Sequence, residues 1–272
     1  MKILLIFTLI FARVAPAMSE NDAPMVGVIP NPLQEKIQCL NPQYLIFLPD
    51  ADKGAKLPLL IFLHGAGGVG NDINKINGKP TEIWQGIQKF HKGPAIVVAP
   101  QCLKTSKSGG RGIWLPEDLN LLLQQLKATL PVDLHRIYLT GISMGGYGTW
   151  AWGAKNPEHF AAIAPIVGGI GREGPKDVTP DFDQWVRSLT KTPVFGFVGA
   201  LDQTVPPERS ERMIAAIQKA GGQEAKLKVY PDEGHGAGRK VVVDQEFYDW
   251  LFSHQRDGTL TKLAVPRSDA DP

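Results

Sequence analysis

A serine between two glycines is the first candidate for chemistry in this sequence. The segment GISMG at 141–145 places Ser143 in a G-x-S-x-G pattern, directly after the apolar run IYLT. Where a strand turns sharply into a helix, flanking glycines avoid a collision between a Cβ and the crossing backbone, and the serine hydroxyl stands exposed above the sheet. An ordinary Gly/Ser turn has the same letters, but the preceding strand favours a nucleophile. The pattern therefore predicts Ser143 as the nucleophile.

A serine nucleophile needs a general base, and His235 is the preferred candidate among the six histidines. It lies in the segment GHG at 234–236, in the loop after the last predicted strand. The other five histidines flank predicted helices or strands or lie at a strand end. A histidine at the carboxyl end of the final strand, downstream of the nucleophile, is interpreted as the base.

The base needs a carboxylate that orients it, and Asp202 is the preferred candidate. It lies in the loop GALDQTVP, directly after the apolar run VFGFV. An Asx-turn residue ahead of two prolines would look similar. Asp232 and Glu233 compete for the role, but so close to His235 in sequence they are expected to point along the loop rather than at its ring.

A second glycine-rich segment, GAGGVG at 65–70, matches the G-x-G-x-x-G pattern of dinucleotide-binding folds. That chemistry requires the third glycine to open a helix, and an acidic residue about 20 positions further on. Here the stretch 71–78 is polar and turn-rich, and no Asp or Glu occurs at 83–116. Dinucleotide binding is therefore disfavoured.

The elements that must position these residues alternate between apolar runs and helical patterns. The predicted strands are 44–49, 59–63, 95–99, 137–140, 161–167, 194–198 and 226–230, and the predicted helices are 117–130, 207–220 and 244–254. Several strands are apolar throughout, as expected for parallel strands buried on both faces. The alternation predicts an α/β fold, a mostly parallel sheet with helices on both faces, with ligands at the carboxyl ends of its strands.

Four motifs together resemble those of one family: HGAGG at 64–68, GISMGG at 141–146, GALDQTVP at 199–206 and DEGHG at 232–236. Over about 44–254 the chain resembles the α/β-hydrolase superfamily. Within it, the chain is similar to the secreted esterases that include polyhydroxybutyrate-depolymerase-like, feruloyl and acetylxylan esterases, a branch with members called predicted peptidases or phospholipase/carboxylesterases. The chain order Ser, Asp, His fits this architecture. Dienelactone hydrolases are similar in size but use a cysteine nucleophile, which argues against their chemistry here.

The resemblance implies a single α/β-hydrolase domain and two oxyanion donors, the backbone N–H groups of Ala66 and Met144. A residue at a helix N-terminus and a residue in a glycine-rich loop are physically suited to that role. No metal site is predicted, because the sequence has no His or Cys pair at ligand spacing. No cofactor is predicted either.

The predicted function is a secreted serine hydrolase that cleaves carboxylic esters through an acyl-enzyme, with acetyl or feruloyl esters of plant polysaccharide as candidate substrates. One alternative is a serine peptidase of the prolyl-oligopeptidase type, although the chain lacks a propeller-sized second domain. The other alternative is an inactive binding module on the same fold. Trp114 and Trp185 are candidates for lining the substrate pocket, and packing of either one between loop and sheet is an equally weighted alternative.

The N-terminus has the pattern of a secretory signal peptide: Lys2, an apolar run at 3–12 and the small-residue site Ala15-Pro16-Ala17. We therefore expect a signal peptide at 1–17, a hydrolase domain at 18–256, a flexible tail at 257–272, and secreted or periplasmic localisation. The formal net charge is +2, and loss of Lys2 and Arg13 would bring it to zero. Nucleic acid is therefore not an expected partner, and stable membrane association is not expected after cleavage.

The predicted signal peptide implies an oxidising compartment, where an even number of cysteines favours a disulfide. The two cysteines, Cys39 and Cys102, are also expected to lie close together in the fold. Cys39 precedes one predicted strand and Cys102 follows another that should be its antiparallel neighbour. The sequence therefore predicts a disulfide between them, and two buried free thiols are the alternative.

Overall fold

Eight strands form one sheet in the part of the chain that the computed structural model describes, residues 23–105, 112–171 and 178–256. The predicted signal peptide and C-terminal tail lie outside these residues and stay predictions. The strands are Met25–Val28 (β1), Leu40–Phe47 (β2), Leu57–Leu63 (β3), Ile96–Cys102 (β4), Val132–Ile142 (β5), Ala162–Ile166 (β6), Val194–Gly199 (β7) and Ala225–Tyr230 (β8). The helices are Asn31–Gln34 (α1), Gly78–Gly86 (α2), Pro116–Thr129 (α3), Met144–Lys155 (α4), Phe182–Leu189 (α5), Glu208–Lys219 (α6), Gly238–Val241 (α7) and Gln245–Phe252 (α8).

The sheet order is β1-β2-β4-β3-β5-β6-β7-β8, with β1, β2 and β4 joined in antiparallel pairs and all later pairs parallel. Strands β3, β4 and β6 are buried at every position, as continuously apolar runs in a parallel sheet should be. The parallel order brings the carboxyl ends of β3, β5, β7 and β8 to one edge. The predicted fold class is confirmed.

Helices cover both faces of the sheet, and each face has its own apolar core. On one face, buried side chains of α3, α4, α5 and α6 pack on the sheet. On the other face, α2, α7 and α8 do so. Because both faces are covered, the exposed ends of the strands are the places where loops can form a site. Among the described residues, no helix is both long and apolar enough to cross a bilayer.

Three elements differ from the sequence-based expectation. Residues 25–28, which lie outside the predicted strands and helices, form the edge strand β1, where Met25, Val26 and Val28 are exposed. Helix α2, which was not predicted, begins at the last residue of the polar stretch 71–78. Helix α5 lies between the predicted strands 161–167 and 194–198, where no helix was predicted. An edge strand without alternating burial gives a weak periodic signal. Helix α5, in contrast, has its apolar residues 182, 185, 186 and 189 at the spacing of an amphipathic helix, a signal that the sequence reasoning missed.

The predicted disulfide is wrong: Cys39 and Cys102 are buried and free. Strands β2 and β4 are antiparallel neighbours as expected, but the register pairs Leu40 rather than Cys39 with Cys102. Each sulfur atom contacts a different partner. The Cys39 thiol lies 3.3 Å from the Thr105 hydroxyl, and the Cys102 thiol donates to the Ile113 carbonyl at 3.1 Å.

Candidate active site

Ser143 lies at the sharp turn between β5 and α4. Its backbone has φ 58° and ψ −117°, a conformation that residues other than glycine rarely adopt. A Cβ on Gly141 would overlap the carbonyl group of Gly145, and a Cβ on Gly145 would overlap the carbonyl oxygen of Leu63. Glycine at both positions is therefore a requirement of close backbone packing, and this packing holds Ser143 in its strained conformation.

His235 lies between the two other members of the predicted triad. Its Nε2 is 2.8 Å from the Ser143 hydroxyl oxygen, and its Nδ1 is 2.8 Å from the Asp202 Oδ2. The imidazole is 30% exposed, whereas the Asp202 carboxylate is fully buried. The structure thus brings together all three residues that the sequence singled out, in the order of a nucleophile, a base and an orienting acid.

The Asp202 carboxylate is fixed by its own loop. Its Oδ1 accepts hydrogen bonds from the backbone N–H groups of Thr204 and Val205, each at 2.9 Å, which leaves Oδ2 for His235. The competing carboxylates take no part in this contact, because Asp232 is exposed and Glu233 pairs with Lys240.

The loops that carry the acid and the base are joined to each other. The Leu201 N–H donates to the Glu233 carbonyl at 2.9 Å, and the Ala200 N–H donates to the Tyr230 carbonyl at 3.0 Å. A Cβ on Gly199 would overlap the carbonyl groups of Glu233 and Gly234. The loops after β7 and β8 therefore hold Asp202 and His235 at a fixed separation.

Ala66 and Met144 both lie where the resemblance placed the oxyanion donors. Met144 is the first residue of α4, so its N–H has no partner within the helix. Ala66 is the first residue of a short 3₁₀ turn, Ala66–Gly68. A Cβ on Gly65 would lie 3.5 Å from the Ser143 Cβ, so the glycine loop (residues 65–72) contacts the nucleophile turn. Their role as donors stays a prediction.

His64 has a structural position that the sequence reasoning missed. Its ring is 5% exposed, and Nδ1 donates to the Gly65 carbonyl at 2.6 Å while Nε2 accepts from the Cys102 N–H at 3.0 Å. Burial lowers the pKa of His64 to about 4, although the bond to Gly65 opposes the shift. The ring is therefore neutral at neutral pH and anchors the start of the glycine loop. Its place directly before that loop was the available signal.

Trp114 and Trp185 are correctly described by the packing alternative, not by the pocket hypothesis. Trp114 is 4% exposed, its indole N–H donates to the His64 carbonyl at 3.2 Å, and its ring meets the His64 ring edge-on at 4.8 Å. Trp185 is 7% exposed and packs from α5 into the core. Trp114 therefore supports the start of the glycine loop, and Trp185 belongs to the core on the α5 face of the sheet.

A cleft of about 360 Å³ opens beside the imidazole of His235. Its lining is formed by Lys79, Ile142, His235, Gly236, Gly238 and Arg239. The cleft borders the exposed part of the imidazole, and Ile142, the residue before Ser143, forms part of its wall. Among the described residues, no group of three metal-ligating side chains occurs.

Known proteins with related sequences or structures are mainly hydrolases. Residues 177–257, which contain Asp202 and His235, match the prolyl oligopeptidase family. The chain is 36% identical over 109 residues to a putative carboxymethylenebutenolidase of Escherichia coli O157:H7, covering 38% of this chain and 37% of that protein. It is 30% identical over 181 residues to feruloyl esterase C of Emericella nidulans, covering 64% of each.

The fold is similar to that of a thermostable esterase, with a TM-score of 0.71 and 27% sequence identity over 87% of this chain and 64% of the esterase chain. In each of these three comparisons the chain spans less than two thirds of the other protein. The likeness therefore identifies the fold, and leaves the site and the activity to be argued from the residues.

Proposed function

We propose that this chain, a member of the α/β-hydrolase superfamily, is a serine hydrolase that cleaves carboxylic esters through an acyl-enzyme. The observation that carries the proposal is the continuous contact from Asp202 through His235 to Ser143, with both hydrogen-bond distances at 2.8 Å. The strained backbone of Ser143 supports it, because strain of this kind is held where function requires it.

In the proposed reaction, His235 Nε2 takes the hydroxyl proton as the Ser143 oxygen attacks the ester carbonyl carbon. Asp202 orients the imidazole and stabilises its positive charge. The N–H groups of Ala66 and Met144 donate to the oxyanion of the tetrahedral intermediate. His235 then gives the proton to the leaving alcohol, and the acyl group stays on Ser143. Water, activated by the same imidazole, releases the acid.

The substrate class is part of the proposal. The similarity to a feruloyl esterase supports aromatic or acetyl esters of plant polysaccharide as candidate substrates.

The N-terminal signal pattern supports action outside the cytoplasm, in the periplasm or the medium. N-terminal sequencing of the protein recovered from outside the cell tests that location, and an intact residue 1 would contradict it.

A peptidase is the second candidate, because residues 177–257 match the prolyl oligopeptidase family. The two activities share the triad and differ in the leaving group, which is an alcohol for an ester and an amine for a peptide. An amine is a poorer leaving group than an alcohol and must be protonated before it departs. The relative turnover of ester and amide substrates therefore distinguishes an esterase from a peptidase.

The test compares wild-type protein and Ser143→Ala on nitrophenyl esters, proline nitroanilides, acetylated xylan and feruloyl esters. We expect ester turnover by the wild-type protein that exceeds anilide turnover, and none by the variant. Preferred turnover of the anilides would establish the peptidase instead. Ester turnover that survives in a folded Ser143→Ala protein would contradict both candidates.

A further inference from the structure

We infer that Gln101 is a positioning residue for this reaction, because its buried amide fixes the glycine loop that presents the Ala66 N–H. The inference rests on the proposed function, since it concerns a proposed oxyanion donor. Gln101 lies next to the carboxyl end of β4 and is 0% exposed. A fully buried amide is stable only where its polar atoms are hydrogen-bonded, so its partners indicate what it holds in place.

All parts of the Gln101 amide are engaged. Its Nε2 donates to the Gly68 carbonyl at 2.9 Å and to the Asp72 carbonyl at 2.8 Å. Its Oε1 accepts from Asn41 Nδ2 at 2.7 Å. Because backbone carbonyl groups only accept hydrogen bonds, the nitrogen end must face the loop, which settles the orientation of the amide. Asn41 on β2 in turn fixes that orientation.

The two carbonyl groups lie on either side of residues 69–71 of the loop, where the Gly70 N–H donates to the Cys102 carbonyl at 3.0 Å. Gly68 closes the 3₁₀ turn that begins at Ala66, with its N–H donating to the Gly65 carbonyl at 3.0 Å. The loop contains several glycines, whose backbones adopt many conformations when nothing restrains them. One amide that bonds both Gly68 and Asp72 removes much of that freedom. The direction of the Ala66 N–H therefore depends on Gln101 through Gly68.

A purely structural role for Gln101 predicts a different outcome from a positioning role. A structural hydrogen bond lowers the free energy of unfolding when it is lost, and the remaining folded molecules keep their turnover. A positioning bond also lowers kcat in the folded protein, because a donor displaced by about 1 Å stabilises the transition state less well. Since substrate binds before the oxyanion forms, KM should change little.

The experiment compares Gln101→Met with wild-type protein. Methionine has a similar volume but no amide, so the variant leaves the Gly68 and Asp72 carbonyls without their donor. Tyr248→Phe is the matched control, because it removes a buried 2.8 Å hydrogen bond to the Val242 carbonyl on the part of the chain that contains α8. Thermal unfolding, kcat and KM for a nitrophenyl ester, and inhibition by an alkyl trifluoromethyl ketone are measured for each. The ketone is attacked by the serine hydroxyl and gives a hemiketal whose oxygen lies in the oxyanion site.

We expect Gln101→Met to lower kcat by about 10- to 100-fold, with KM within about twofold of the wild-type value. The inhibition constant of the ketone should rise by a similar factor, and Tyr248→Phe should change neither quantity. If Gln101→Met does not fold, Gln101→Asn carries the same expectation, because its shorter side chain cannot reach both carbonyls.

A folded variant with wild-type kcat and wild-type ketone inhibition would overturn the inference and leave the proposed function intact. A wild-type protein that turns over no ester or anilide and does not bind the ketone would overturn the proposed function, and the inference with it.

Discussion

The two proposed oxyanion donors are held by opposite means. The nucleophile turn, with Met144, is fixed by backbone packed against backbone, where Gly141 and Gly145 leave no room for a side chain. The glycine loop, with Ala66, is fixed by buried side chains that bond its carbonyl groups, His64 and Gln101. The first support is close backbone packing, and the second is a set of hydrogen bonds from buried polar side chains. The two should therefore differ in their response to loss of a buried polar side chain.

Loss of a triad residue should lower kcat more than loss of either support of the oxyanion donors. Asp202→Asn should lower kcat by about 10⁴-fold, because an amide at this position favours the wrong tautomer of His235 while the geometry stays intact. Steady-state kinetics on a nitrophenyl ester checks this. If Asp202→Asn were nearly silent while Asp232→Asn or Glu233→Gln was severely impaired, the acid would be assigned to the wrong residue.

A side chain added at Gly145 should damage the nucleophile turn, whereas one added at Gly67 should leave the glycine loop intact. Gly145→Ala should destabilise the protein by about 3 kcal/mol or more, because its Cβ would overlap the rigid carbonyl oxygen of Leu63. Gly67→Ala is the matched change in the glycine loop, where a Cβ meets nothing within 4 Å, and its effect should stay within about 0.5 kcal/mol. Urea unfolding measures both. Similar losses in the two variants would remove the contrast between the supports.

The sequence predicted the triad residues of this site, but it did not predict the residues that hold the surrounding loops in place. Ser143, Asp202 and His235 each follow a strand, and the order of a parallel sheet brings strand ends together. His64 also follows a strand, but its role and that of Gln101 become visible only when β3 and β4 are neighbours. The register between β2 and β4 was equally invisible, since a shift of one residue separates Cys39 from the position opposite Cys102. The tryptophans were ambiguous because an indole suits a pocket and a core equally well.

Loss of the loop's own donor should affect catalysis more than binding. Ala66→Pro removes that N–H and should lower kcat by about 10²- to 10³-fold, with a much smaller change in KM, since the bond forms mainly with the oxyanion. Kinetics on the same ester as for Asp202→Asn allows direct comparison. An unchanged kcat would show that another residue is the donor, with Gly67 as the next candidate.

The contribution of His64 to the free energy of unfolding should depend on pH. In the folded protein its pKa is about 4, below the ordinary 6.5, so the unfolded chain binds a proton that the folded chain does not. The free energy of unfolding should therefore fall as pH decreases from about 6.5 to 4, by about 3 kcal/mol through this residue. Urea unfolding at several pH values should show a shallower pH dependence in His64→Gln. Equal slopes for variant and wild type would contradict a buried neutral histidine.

The central claim is that Ser143 is a nucleophile activated by His235. Treatment of the folded protein with a fluorophosphonate probe, followed by peptide mapping by mass spectrometry, tests it most directly. We predict one adduct per chain, on Ser143, which forms far more slowly in His235→Ala and is absent in Ser143→Ala. No adduct on the folded wild-type protein, or an adduct on a different residue, would contradict the claim.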